Sequence, residues 1–291
     1  MPVKTSARTV TLSMPLLQKC MEELYLEVFP VDGIEEALLR LPDGAQLGIT
    51  CSPKQGLGAT LDLVSKMQGH NFQLVPHIAA RQVRDRDHLK DIVQQLGNQG
   101  VESMFVPGGD TPTPLGAYDS SLTLLRDLHE IGHSFKHLGV AAYPEGHPSI
   151  DDTVLFEALG AKQELATYMV TQMCFDAQQL LRWLTDARAR GIHLPVWLGL
   201  PGVIDRGKLF RTSLRIGVGE SARFARKQRS LAGKLLRSSH YQPDELLDAL
   251  RVPIEDDSLA IGGFYIFSFN QIQSTMDWAR EVIEKLTREL A

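Results

Sequence analysis

The sequence predicts an α/β fold, a single (β/α)8 TIM barrel over residues 1–291 with extra helices between strands 7 and 8. Three observations predict it. Short apolar runs rich in branched and aromatic residues recur eight times, each followed by a polar turn and a longer stretch of helical periodicity, the pattern of a parallel sheet covered by helices. Eight repeats is the number with which such a barrel closes. An open doubly wound sheet, the main rival, normally carries a Gly-x-Gly-x-x-Gly turn after an early strand, and no such turn stands in this chain.

In chain order the predicted strands are 24–29, 46–50, 72–78, 103–107, 137–143, 168–173, 195–200 and 263–269. Amphipathic segments lie between them. In 87–96 the apolar residues Leu89, Ile92, Val93 and Leu96 share one face, and in 177–189 Leu180, Leu181 and Leu184 do the same. Gly100 and Gly191 follow these two segments and suit left-handed helix caps. The longest interval, 202–262, carries helical patterns at 219–236 and 243–250 and reads as elaboration on the barrel, not as a second domain.

Composition narrows the function classes. With 43% hydrophobic and 22% charged residues, a chain of 291 residues can bury a sizeable core. A net charge of -5 leaves no electrostatic footprint for nucleic acid. The basic stretch 223–234 spaces its charges as a solvated helix face does, with phosphate binding by Arg223, Arg226 or Lys227 as the other reading. Cys20, Cys51 and Cys174 are odd in number, which argues against a disulfide framework and for a reducing compartment. The first twelve residues lack an apolar stretch of signal-peptide length and nothing later approaches a membrane span, so the expectation is a cytoplasmic protein without a membrane partner. Oligomeric state is left open, a homo-oligomer included.

In a barrel of this kind the active site forms at the C-terminal ends of the strands. The polar residues there are Glu27, Thr50, Ser52, His77, Asp110, Tyr143, Glu145, His147, Gln172, Asp176, Asn270 and Gln271. Glu27 stands among Leu26, Val28, Phe29 and Pro30, where desolvation disfavours its charged form and suits a general acid; a carboxylate paired to tie the barrel together is the competing reading. Gly108 and Gly109 let backbone approach a ligand just before Asp110, which alternatively closes an Asx turn. The proline-braced run 141–148 places Tyr143, Glu145 and His147 in one loop of ligand-holding type. Gln172 carries a donor and an acceptor suited to a heterocycle edge, or to a cross-strand hydrogen bond. His77, Glu145 and His147 show no metal-ligand spacing, so no metal is expected.

These residues resemble the methylenetetrahydrofolate reductase family. The resemblance rests on Glu27-Val28-Phe29-Pro30, Pro76-His77, Gly108-Gly109-Asp110, the run from Ala141 to Pro148 (Ala-Ala-Tyr-Pro-Glu-Gly-His-Pro) and the run from Thr171 to Asp176 (Thr-Gln-Met-Cys-Phe-Asp), in family order from residue 24 to about 200. It implies reduction of methylenetetrahydrofolate to methyltetrahydrofolate. In it Glu27 matches the acid that protonates the folate nitrogen, Asp110 the aspartate beside pterin and reaction centre, and Gln172 the amide that binds pterin. Thr60, His77, Gly109, Tyr143 and His147 match or adjoin the family's cofactor-binding positions, and Leu209 or Phe210 stands where an apolar wall against the substrate is expected.

The departures are as informative. Gly108 replaces the arginine of an Arg-Gly-Asp motif that helps to hold FAD, Glu164-Leu165-Ala166 replaces an Ala-Gly-Ala turn, and Phe269-Asn270-Gln271 replaces Leu-Asn-Arg. Lys162 stands for a lysine that members use near FAD. The chain is similar to the divergent actinobacterial, mycobacterial-type branch, which implies NADH as co-substrate, direct hydride transfer and no FAD. Two alternatives stay open, an ordinary FAD enzyme with ping-pong kinetics and, from another class, a non-catalytic barrel that binds pterin or folate. An aldolase-type lyase lacks a lysine at a predicted strand end.

Overall fold

The structure is a computed structural model that describes residues 14–215 and 240–290. Its barrel strands are β1 (Tyr25–Val28), β2 (Gln46–Ile49), β3 (Gln73–Pro76), β4 (Ser103–Val106), β5 (His137–Ala142), β6 (Tyr168–Thr171), β7 (Val196–Pro201) and β10 (Ile261–Phe267). They form one parallel sheet in the order β3-β2-β1-β10-β7-β6-β5-β4, and a parallel bridge between His77 and Phe105 joins its two edges into a barrel. The predicted fold class is the observed one.

Alternation along each strand sends one set of side chains outward to the helices and the other inward. Leu26 and Val28, Leu47 and Ile49, and Phe264 and Ile266 belong to the large core between sheet and helices. Tyr25, Val75, Phe105, Ala141, Tyr168, Val170, Trp197, Tyr265 and Phe267 form a separate cluster that fills the barrel. Among the helices are α1 (Met14–Glu22), α2 (Ile34–Leu38), α3 (Gly56–Met67), α4 (Arg86–Asn98), α5 (Ser121–Ile131), α6 (Asp152–Lys162) and α7 (Ala177–Ala189). Asp85, Ser120, Asp151 and Asp176 cap the last four through side-chain oxygens, each satisfying backbone donors that a helix start leaves free. The two expected glycine caps are left-handed, with φ 69° at Gly100 and 81° at Gly191.

Three features differ from the expectation or add to it. The last barrel strand ends two residues early, because Phe269 (φ 51°) and Asn270 (φ 59°) take left-handed backbone conformations that no strand accommodates. Its start includes Gly262 and Gly263, where a Cβ atom would stand 3.0 Å from the Trp197 ring. Helix Met14–Glu22 is an addition that buries Leu17, Cys20 and Met21 and packs against β10 and the C-terminal helix Ile272–Leu290. Between β7 and β10 lie helix Arg206–Arg215, helix Asp244–Leu250 and an antiparallel ribbon pairing β8 (Ile204–Asp205) with β9 (His240–Tyr241). The pattern at 219–236 and the basic stretch 223–234 fall outside the described residues. No helix among the described residues is long and apolar enough to cross a membrane.

Candidate active site

The parallel strands bring all their C-terminal ends to one mouth. Glu27 is the carboxylate buried there. It is 7% exposed on β1, and burial pushes its pKa up to about 8, with a hydrogen bond from the Tyr265 hydroxyl pulling the other way. His77, just beyond β3, is also buried; burial holds its imidazole down at about 3, so the ring is neutral. Its Nε2 lies 2.7 Å from the Tyr265 hydroxyl, and its ring packs on Phe105 at 4.7 Å. Glu27, Tyr265 and His77 thus form one buried polar chain across the barrel.

Two neighbouring loops build the polar side of the mouth. Gly109 turns with φ 95°, and a Cβ there would meet Ala79 at 3.0 Å, so the loop after β4 passes close over the end of β3. Asp110 is exposed at its tip and acts electrostatically on Tyr143 and His147 from the loop after β5. Burial, then Asp110, raises Tyr143 to about 12; burial lowers His147, against the pull of Asp110. Tyr143 and His147 meet edge to face at 5.4 Å. Asp110, Tyr143 and His147 therefore share one surface, as the motifs imply.

Gln172 closes β6 with its Oε1 already accepting the Met173 N–H at 2.8 Å, so its amide donors are what it offers a ligand. Thr60 is placed differently from a mouth residue: it is fully buried in α3 and its hydroxyl donates to the Thr50 carbonyl at 2.7 Å. Phe210 lies in helix Arg206–Arg215, and its side chain falls outside the described residues. An apolar cluster of Met173, Phe175, Ile204, Leu209, Tyr241 and Phe269, with Phe29 and Phe267 against it, lines the other side of the mouth.

Sequence reasoning missed two contributors and undervalued two others. Tyr265 read as ordinary strand; the available signal was an inward aromatic matched by an inward glycine, since a Cβ at Gly48 would lie 2.1 Å from the Tyr265 hydroxyl. Thr50 was noted only as polar, yet its Oγ1 is buried at the end of β2 without a partner. Arg81 holds the loop after β4 by donating to the Thr111, Pro112 and Asp119 carbonyls. Asn270 clamps the end of β1, accepting the Phe29 N–H at 2.8 Å and donating to its carbonyl at 3.0 Å. Among the described residues no group of three or more His, Cys, Asp or Glu side chains is placed to hold a metal ion.

A closed parallel barrel with a buried carboxyl and a polar surface at the strand ends defines a TIM-barrel protein. The family model described as methylenetetrahydrofolate reductase matches residues 47–210, more than half of the chain. The chain belongs to the methylenetetrahydrofolate reductase family. Similar relatives include a probable methylenetetrahydrofolate reductase (NADPH) of Caenorhabditis elegans, 28% identical over 62% of this chain and 30% of that protein. Methylenetetrahydrofolate reductase (NADH) 1 of Arabidopsis thaliana is 23% identical over 61% of this chain and 34% of its own length. Methylenetetrahydrofolate reductase 2 of Saccharomyces cerevisiae is 24% identical over 40% and 21%. The matched chain thus spans from 21% to 34% of these relatives. Among solved structures, oxaloacetate acetylhydrolase with the inhibitor 3,3-difluorooxalacetate superposes with a TM-score of 0.50 at 12% identity, covering 94% of this chain and 84% of that one, a likeness of fold alone.

Proposed function

We propose that this protein is a methylenetetrahydrofolate reductase in which NADH reduces the folate directly, as in the flavin-independent branch of the family. The observation that carries this reading is Glu27, a carboxyl buried at the barrel mouth, where burial pushes its pKa up to about 8. Glu27 gives its proton to the nitrogen of the five-membered ring, that C–N bond opens, and a cationic iminium forms. Asp110, exposed at the tip of its loop, stabilises the cation. A hydride then passes from nicotinamide to the iminium carbon, leaving methyltetrahydrofolate, NAD+ and ionised Glu27. The two rings stack between the apolar wall formed by Phe29 and Phe267 and the polar surface of Tyr143 and His147, which keeps water from the iminium. The Gln172 amide donors fit an acceptor atom on the pterin edge.

A resident FAD fits these residues poorly. Position 108 has no side chain, and Arg81, beside that loop, spends its guanidinium on three backbone carbonyls. The Thr60 hydroxyl is likewise committed. Lys162 lines a small cavity of about 30 Å³ walled by Leu155, Phe156, Leu159 and Trp183. Burial pushes its pKa down to about 8, so it is a weakened cation for a pyrophosphate. A transient co-substrate tolerates that better than a tightly held flavin does. Loss of arginines at Gly108 and Gln271 also supports NADH over its 2′-phosphorylated form. Three free cysteines accord with a reducing compartment such as the cytoplasm.

The test is an absorption spectrum of the purified protein, followed on the same sample by NADH oxidation with methylenetetrahydrofolate, with and without added FAD. Colourless protein that turns over without flavin, with intersecting initial-velocity lines, is expected. A flavin band, parallel lines or activity only with FAD returns the chain to the ordinary flavoenzyme mechanism.

A further inference from the structure

The Tyr265 hydroxyl stands between two buried titratable groups and has one proton to offer. Its ring is fixed by packing: Tyr25 and Phe105 stack on it at 6.1 and 6.4 Å, and Phe267 meets it edge-on at 5.5 Å. Gly48 leaves the space that the hydroxyl fills. With the ring held, the freedom that remains is rotation of the O–H bond. The oxygen lies 2.7 Å from His77 Nε2, and it fills the space over Gly48, the register partner of Glu27 on β2, which brings it to the Glu27 carboxyl. The titratable groups facing it are Glu27 and Tyr25 on β1, His77 beyond β3 and Tyr168 on β6.

A neutral imidazole accepts at one nitrogen and donates at the other, so Nε2 takes the Tyr265 proton when Nδ1 carries the ring proton. A protonated Glu27 needs no donor and can itself donate to the Tyr265 oxygen. An ionised Glu27 at this depth needs a donor, because a buried carboxylate without one is strongly disfavoured.

We propose that Tyr265 is the positioning residue of the proton donor, a hydroxyl switch that donates to His77 Nε2 while Glu27 is protonated and turns to the Glu27 carboxylate once that proton has left. The assignment rests on Glu27 acting as the acid of folate reduction. The only covalent change is the O–H bond of Glu27 breaking as an N–H bond forms on the substrate. Tyr265 keeps its proton throughout, and His77 Nε2 loses one hydrogen bond.

The test titrates the carboxyl stretch of protonated Glu27 in the full chain by infrared difference spectroscopy, with the band assigned by its disappearance in Glu27→Gln. In Tyr265→Phe, which removes one oxygen and keeps the ring, the midpoint is expected to rise by about one pH unit or more, since the ionised form loses its donor. In His77→Phe the hydroxyl keeps Glu27 as its partner, and the midpoint is expected to fall. A purely structural role predicts no such opposed pair. A midpoint that stays or falls in Tyr265→Phe, or moves the same way in both variants, overturns the switch. Should Tyr265→Phe fail to fold, the His77→Phe titration decides alone: a fall supports the switch and anything else sinks it. Turnover assays on the unmodified protein separate the two levels. Opposed shifts without reduction of methylenetetrahydrofolate sink the folate reading and leave the switch, whereas turnover with unmoved midpoints sinks the switch alone.

Discussion

Glu27 is a carboxyl that the fold keeps protonated where an ordinary one is ionised. Its folded pKa, about 8, lies above its ordinary 4.5, so the folded chain holds a proton that the unfolded chain has released between those values. The associated stability is fully present below pH 4.5 and is lost as pH rises toward 8. Glu27→Gln removes this dependence. The unmodified protein should lose on the order of a few kcal/mol between pH 5 and 9 that the variant retains, read from melting temperatures across that range. The same variant should lose turnover by about 10²–10⁴-fold, because the amide cannot protonate the folate nitrogen. His77 works in the opposite direction. Its folded value, about 3, lies below its ordinary 6.5, so the stability tied to its neutral ring is present above pH 6.5 and is lost as pH falls toward 3.

At the scale of elements, the mouth is held by short polar clamps between neighbouring strand ends. Asn270 makes two hydrogen bonds to the Phe29 backbone, and Ser268 donates to the Glu27 carbonyl and accepts the Asn270 N–H at 3.1 Å. Asn270 also occupies a left-handed conformation that asparagine tolerates better than most residues. Asn270→Ala should destabilise the protein by about 1–3 kcal/mol, combining lost bonds with backbone strain. Asn270→Gly removes the same bonds without the strain and should cost less; thermal unfolding of the two variants separates the contributions. Arg81 performs the corresponding work for the loop that carries Asp110. Arg81→Ala should raise KM for the folate more than it lowers kcat, and speed amide hydrogen exchange across residues 111–119. Unchanged exchange there would show that the three carbonyl bonds do not hold the loop.

Over the whole molecule, large aromatics inside the barrel are matched with glycines on adjacent or next-but-one strands. Gly48 makes room for Tyr265, Gly139 for Tyr168 and Gly199 for Phe267, with the Cβ positions at 2.1, 2.4 and 2.8 Å from those side chains. Close packing gives such a core little slack. Gly48→Ala should therefore cost about 1–3 kcal/mol in unfolding free energy and displace the hydroxyl that serves Glu27. A variant of unchanged stability and unchanged pH–rate profile would mean that the interior repacks freely around Tyr265.

The barrel was legible from sequence because its signals are local. Eight apolar runs, alternating with helical periodicity and punctuated by glycines such as Gly100 and Gly191, state the elements and their order. Glu27, Asp110, Tyr143, His147 and Gln172 were legible for the same reason, since each stands in a dense motif at a strand end. Hydrogen bonds between distant residues left no local trace. The Asn270 clamp joins positions 241 residues apart and the Tyr265–His77 bond spans 188. Thr60 shows the same limit, for the family resemblance places it among cofactor-binding positions while the packing of α3 commits its hydroxyl to Thr50. Sequence by itself determined which residues alternate inward and which strands follow one another, because periodicity of 2 and 3.6 is a property of neighbouring residues. Only the tertiary structure decided which inward groups meet, how deeply Glu27 and His77 are desolvated, and which hydroxyl links them, because closure of the barrel sets those distances and excludes the water.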